Sequence, residues 1–181
     1  MKKILIVLCV LLAIVGCSKT NVEEPEKNPE TMDGGVGIVN PMKESTFADL
    51  QTKGFTINLP EEVQTEDVKC FYYDPGDDSM KMAEFRFNYQ GSDINYRIKI
   101  SSETEPTDIS GLYNTYESEV EAEVDNRSAV AKFNNDKDGY ITWFDRVVGV
   151  DYSLSMSANA NATNLITIAT ALYSPLQGNA K

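Results

Sequence analysis

The stretch AEFRFNYQGSDINYRIKI, Ala83 to Ile100, decides the fold. Ala83, Phe85, Phe87 and Tyr89 alternate with Glu84, Arg86 and Asn88. After Gln90-Gly91-Ser92-Asp93 the alternation resumes. Ile94, Tyr96, Ile98 and Ile100 now alternate with Asn95, Arg97 and Lys99. Side chains of a strand point to opposite faces with period two, so each run has one apolar and one polar face. A short polar stretch with glycine between two such runs predicts a hairpin. Clean alternation predicts antiparallel sheet with one buried face and one wet face.

Working outward, VKCFYYD (68–74) reads as a preceding strand that ends in a turn at Pro75-Gly76-Asp77-Asp78. FTINLP (55–60) alternates too, with Phe55, Ile57 and Leu59 on one face. Before it, Thr46 can cap a short helix, with Asp49 three residues on and Gly54 past its end. Downstream, SSETEPTDISGLYNTYE (101–117) reads as loop, with Pro106 and Gly111 as breakers. The run from Val120 to Phe133 is less periodic but reads best as strand, followed by strands at YITWF (140–144) and DYSLSMS (151–157). Leu165, Ile168, Ala169, Leu172 and Tyr173 recur at helical spacing, with Asn161 or Thr163 as cap and Pro175 beyond. The expected fold is α+β: an antiparallel sheet, a C-terminal helix packed on one face, and a short N-terminal helix.

The N-terminus sets a location. Lys2 and Lys3 precede an apolar run, Ile4 to Val15, too short to span a bilayer as a helix. The run ends in Ile14-Val15-Gly16-Cys17, which resembles a bacterial lipobox. Residues 1–16 are then a signal peptide, and Cys17 is the residue that receives fatty-acyl (palmitate-type) chains. Each buried CH₂ contributes about 0.8 kcal/mol, so several chains make a durable anchor. Residues 17–43 are rich in Pro, Gly, Asn and Glu and read as a flexible tether with a reach of about 25–30 Å. In its last part Val36, Ile38, Val39 and Met42 are apolar enough to dock on the domain. Residues 44–181 read as a single domain. The expectation is a lipid-anchored protein facing outside the cytoplasm, on a Gram-positive cell surface.

The whole chain carries a formal charge of −12 and no histidine. Losing Lys2 and Lys3 with the leader takes the charge to −14. Such a balance opposes nucleic acid and anionic headgroups and suits cations or basic partners. Without histidine there are no imidazole triads and no His–metal sites. Of the three cysteines, Cys9 leaves with the leader and Cys17 carries lipid. Cys70 then stands alone in an apolar strand pattern, as a small buried hydrophobe. No spacing of acids singles out a catalytic pair, so the chain reads as non-catalytic. A carboxylate-based cell-wall hydrolase is the least supported alternative.

Two short motifs carry candidate sites. In NNDKDGYITWFD, Asn134, Asp136 and Asp138 fall at alternate positions and Gly139 at position six of a calcium-loop template. The flanks have strand composition, and Asp145 is shorter than the usual final glutamate. The stretch therefore reads as an acidic hairpin tip, with a weak Ca²⁺ site at Asn134, Asp136 and Asp138 as the metal alternative. No other cofactor is expected. In DISGLYNTY, Asp108 and Ser110 suit local bonds to the backbone, Gly111 turns the chain, and Tyr113 and Tyr116 are expected to anchor it. The same four side chains, Asp108, Ser110, Tyr113 and Tyr116, are binding-loop candidates, since binding residues favour loops on rigid scaffolds.

Taken in order, GFTINLP, INYRI, DISGLYNTY, the Trp143 strand and DYSL resemble extracytoplasmic bacterial lipoproteins of domain-of-unknown-function family 4367. The resemblance covers Asn40 to about Tyr173. It implies a sheet-plus-helix domain beside a membrane, mainly in Gram-positive bacteria, with no established reaction and no catalytic residues. The function expected from all of this is a binding or regulatory module of the cell envelope, with a protein or peptide as partner and exposed strand edges as pairing sites.

Overall fold

The computed structural model describes residues 41–76, 80–101, 103 and 105–176. The leader, Cys17, most of the tether and two residues of the predicted 75–78 turn lie outside the described residues. The described chain is one eight-stranded antiparallel sheet with a short helix near its start and a longer helix after its last strand. The strands are β1 (Lys43–Ser45), β2 (Lys69–Tyr73), β3 (Met82–Tyr89), β4 (Ser92–Ile100), β5 (Ser118–Val124), β6 (Arg127–Phe133), β7 (Lys137–Asp145) and β8 (Val150–Ala160). The helices are α1 (Phe47–Thr52) and α2 (Ala162–Leu172). Among these helices none is long and apolar enough to cross a membrane.

The strand order is β1-β2-β3-β4-β8-β7-β6-β5. Two antiparallel meanders are therefore joined at the centre, where β4 pairs with β8. This order has a consequence for the connection 101–117. It must carry the chain from β4 in the middle of the sheet to β5 at its far edge. Of its described residues, 105–116 cross one face.

Register explains which face holds the core. Cys70, Phe85, Tyr96, Leu154, Ile141, Ala131 and Val120 lie opposite one another in succession from β2 to β5. All but Val120 are buried. One residue away, on the other face, Glu84, Arg97, Ser153, Thr142, Val130 and Glu121 form the matching row, polar except for Val130. α2 covers the apolar face over β5 to β8, burying Leu165, Ile168, Ala169 and Leu172. Asn161 caps it by accepting the Asn164 N–H at 2.9 Å. Its C-terminal end is fastened by a buried group. The Asp145 carboxylate accepts from the Tyr173 hydroxyl at 2.5 Å and from Arg127 Nε at 2.8 Å. Tyr173 sets its ring edge against Tyr152, which stacks on Trp143 with centroids 5.2 Å apart.

Several local expectations need correction. The run 120–133 is not one strand. Asp125 and Asn126 both take positive φ, at 47° and 64°, and form a two-residue hairpin turn between β5 and β6. The turn between β3 and β4 narrows to Gln90-Gly91, again with both φ positive. The segment 55–60 is not a strand of the sheet. Phe55 and Ile57 are buried, yet the backbone partner is the end of α2: the Asn58 N–H donates to the Leu172 carbonyl at 3.0 Å. Its alternation reports burial, not pairing. β1 begins at Lys43, the last residue assigned to the tether.

Candidate functional site

The polar face is not simply wet. Glu84, Asp151 and Ser153 are fully or almost fully buried there, because the strap of residues 105–116 lies over them. Each buried acid has partners, as burying a charge demands. Arg97 Nε donates to Glu84 Oε2 at 2.5 Å, and Arg86 pairs with the other carboxylate oxygen. The Arg97 guanidinium then reaches the strap, donating to the carbonyls of Ile109 at 3.0 Å and Ser110 at 2.7 Å. Asp151 accepts from the Thr107 N–H at 2.9 Å and from its hydroxyl at 2.6 Å. The Tyr140 hydroxyl donates to Asp108 at 2.8 Å. Strands β4, β7 and β8 thus each contribute one polar side chain that holds the strap, and Glu84 on β3 holds Arg97 in place.

Within the strap, the Ser110 N–H donates to Asp108 at 2.8 Å and the Leu112 N–H to Ser110 at 3.2 Å. These two local bonds hold the turn. Gly111 follows with φ of 69°, and a Cβ built there would run into the Arg97 guanidinium. Glycine is needed at this position for both reasons. Tyr116 packs edge-on against Tyr140, with centroids 5.3 Å apart. Burial and the nearby Asp138 and Asp108 charges push its hydroxyl above the usual tyrosine range. Burial, then Asp108, pushes Tyr140 the same way. Both phenols are therefore held neutral, and that of Tyr140 donates to Asp108. Tyr113 does not anchor the strap: it is 98 % exposed.

Besides a concavity of about 740 Å³ that meets the strap only at Pro106, two concavities include Asp108 of the strap. The larger, of about 730 Å³, lies between Pro106–Asp108 and β5 to β7, with Glu119, Glu121, Glu123, Lys132 and Thr142 among its walls. The smaller, of about 260 Å³, lies on the other side, between Tyr113, Met82 and Lys99. Asp108 lines both, Tyr113 only the smaller. Ser110 is buried, and Tyr116 lines neither. The larger concavity is acidic and open along the edge strand.

The Asn134 stretch is the tip of the β6–β7 hairpin, with Asp136 at φ of 58°. Strands, not helices, flank it. Asn134 bridges the tip: its amide oxygen accepts the Glu117 N–H at 3.1 Å and its amide nitrogen donates to Asp138 at 3.0 Å. The backbone of Asp136 exchanges bonds with Asn159 and Ala160 of β8. Gly139 is not the turn glycine that a calcium loop needs. It sits in β7 beside a bulge, where a Cβ would lie 2.5 Å from Phe133 Cβ and 2.8 Å from the Lys132 carbonyl oxygen. Among the described residues, no three His, Cys, Asp or Glu side chains are grouped to hold a metal ion.

Sequence reading missed Glu84, Arg97, Asp151 and Thr107. One signal was available: counted back from the Gln90-Gly91 turn, Glu84 and Arg97 face each other across the hairpin. Nothing local marks Asp151 or Thr107, which meet only because the chain crosses the sheet. No protein-family model, curated protein or solved structure matches this chain.

Proposed function

We propose that this chain is a lipid-anchored, non-catalytic module of the bacterial envelope that binds another protein or peptide on the polar face of its sheet. The observation that carries this reading is the open, acidic concavity between the strap and β5 to β7. Binding surfaces favour loops positioned by a rigid scaffold, and this strap is fixed to three strands. The chemistry available points away from catalysis. There is no histidine. Burial pushes the Cys70 thiol up to about 11, so it is an inert group in the core. The Gly76 N–H holds Asp74 below the usual carboxylate range. Burial raises Asp145, but the bonds from Tyr173, Val147 and Arg127 outweigh it and hold it low. A general acid in glycoside hydrolysis needs the opposite direction.

Anchoring rests on the basic start, the short apolar run and Cys17. Two measurements test the reading in cells. Cys17→Ser is expected to move the protein from the detergent-rich to the aqueous phase in phase partitioning. A photocrosslinking residue at Glu121 is expected to give a discrete adduct with one extracytoplasmic protein, while the same probe at exposed Val147 gives none. Unchanged partitioning removes the anchor. Absence of an adduct at Glu121, or equal adducts at both positions, removes the binding surface.

A further inference from the structure

The far edge of the sheet narrows the ligand, and this inference rests on the binding reading above. We propose that β5 accepts an extended, basic segment of a partner protein as an added strand. β5 has β6 on one side only, and among the described residues no strand pairs with its outer edge. Such an edge presents a row of unpaired N–H and C=O groups, which an extended peptide satisfies.

The two edges differ. β1 has 3 residues, so it is blunted by its shortness. β5 has 7 residues and alternates cleanly, with Val120 and Ala122 half-buried and Glu119, Glu121 and Glu123 exposed. Register shows what each glutamate faces on β6. Glu119 lies opposite Lys132, whose Nζ is 3.2 Å away. Glu121 lies opposite Val130, and Glu123 opposite Ser128, so neither has a cation across the ladder. A strand added on the outer side, with Lys or Arg at alternate positions, places a cation beside each glutamate. Directly opposed side chains on neighbouring strands have Cβ atoms about 4.5–5.5 Å apart, within reach of such pairs.

Charge also selects among occupants. A second copy pairing β5 to β5 sets glutamates against glutamates, and like charges directly opposite destabilise a pair. The concavity beside β5 adds Asp108 to the same field and leaves room for long basic side chains across the face. Glutamates on an edge also guard against indiscriminate pairing. A basic strand is the partner for which that guard becomes an attraction.

The test uses the full chain in detergent micelles and a synthetic peptide of alternating Lys and Thr. Saturable 1:1 binding is expected. It should weaken at least about tenfold when Glu119, Glu121 and Glu123 are all changed to Gln. These side chains are exposed, so the fold survives the change. It should weaken by a similar factor when alternate peptide amides, those facing β5, are N-methylated. No saturable binding at about 1 mM peptide overturns the inference. Equal affinity for the methylated peptide overturns it too, since attraction by charge alone needs no strand pairing. A dimer of the chain that excludes the peptide assigns the edge to a second copy and likewise overturns it. If the peptide fails while the Glu121 adduct in cells persists, only the basic-strand inference falls. If both fail, the binding reading falls with it.

Discussion

The two faces of this sheet are one residue apart in register and are covered by different means. On one, an apolar row receives a helix. On the other, a polar row receives a loop. Each face holds one buried aspartate that fastens its cover. Asp145 ties the end of α2 through Tyr173, and Asp151 ties the strap through Thr107. The helix is held by area, which is non-directional and large in sum. The strap is held by a few directed bonds, each worth about 0.5–1.5 kcal/mol net, or somewhat more with a charged partner. The helix face is therefore expected to be the more stable half, and the strap face the half that opens more readily.

Substitutions can break that contrast. The largest effect is expected from Leu165→Ala, which empties a fully buried position under α2. It should cost about 3 kcal/mol in denaturant unfolding, with tertiary and secondary probes lost together. Asp145→Asn should cost about 2 kcal/mol at neutral pH, because Arg127 and Tyr173 lose a charged acceptor. This cost depends on pH in one direction. The folded carboxyl lies below the unfolded value of about 3.9. Its stabilisation is present in full above that value and is lost as pH falls through the folded one. The difference between wild type and the variant should narrow in acid below about pH 4, which urea titrations across pH would record.

Changes on the strap face should act locally. Gly111→Ala forces a side chain into a positive-φ position against Arg97 and should cost about 1–2 kcal/mol. Thr107→Val removes one of the two bonds to Asp151 and should cost about 1 kcal/mol. In both, amide exchange should quicken across 107–112 while β3, β4 and β8 keep their protection. Uniform acceleration over the whole domain would erase the distinction between the faces.

What the sequence made legible follows the same division. Period-two alternation in Ala83–Ile100 gave the central hairpin, since its apolar residues all lie on one face of the sheet. The cap and stripe of α2 were equally readable, because both are local. The strap's role was not. Alternation marks Glu84 and Arg97 as outward-facing, and only the crossing of 101–117 turns outward into buried. The same limit applied to 55–60, whose alternation is real but whose backbone pairs with the end of a helix. The Asp125-Asn126 turn had a signal that was passed over: apolar residues fall at 120, 122 and 124 before it and at 129, 131 and 133 after it, so the phase flips at the turn. The calcium-like spacing at Asn134 was a hairpin tip whose glycine belongs to a strand. The edge glutamates were visible as residues, but only strand order reveals that they line an edge.

The most direct measurement of the central claim is amide hydrogen exchange on the full chain in micelles, with and without the alternating Lys–Thr peptide. The account predicts new protection in 118–124, at the outer edge of β5, with none in 43–45 at the opposite edge. Protection at 43–45 instead, or a peptide that binds without protecting 118–124, would contradict it.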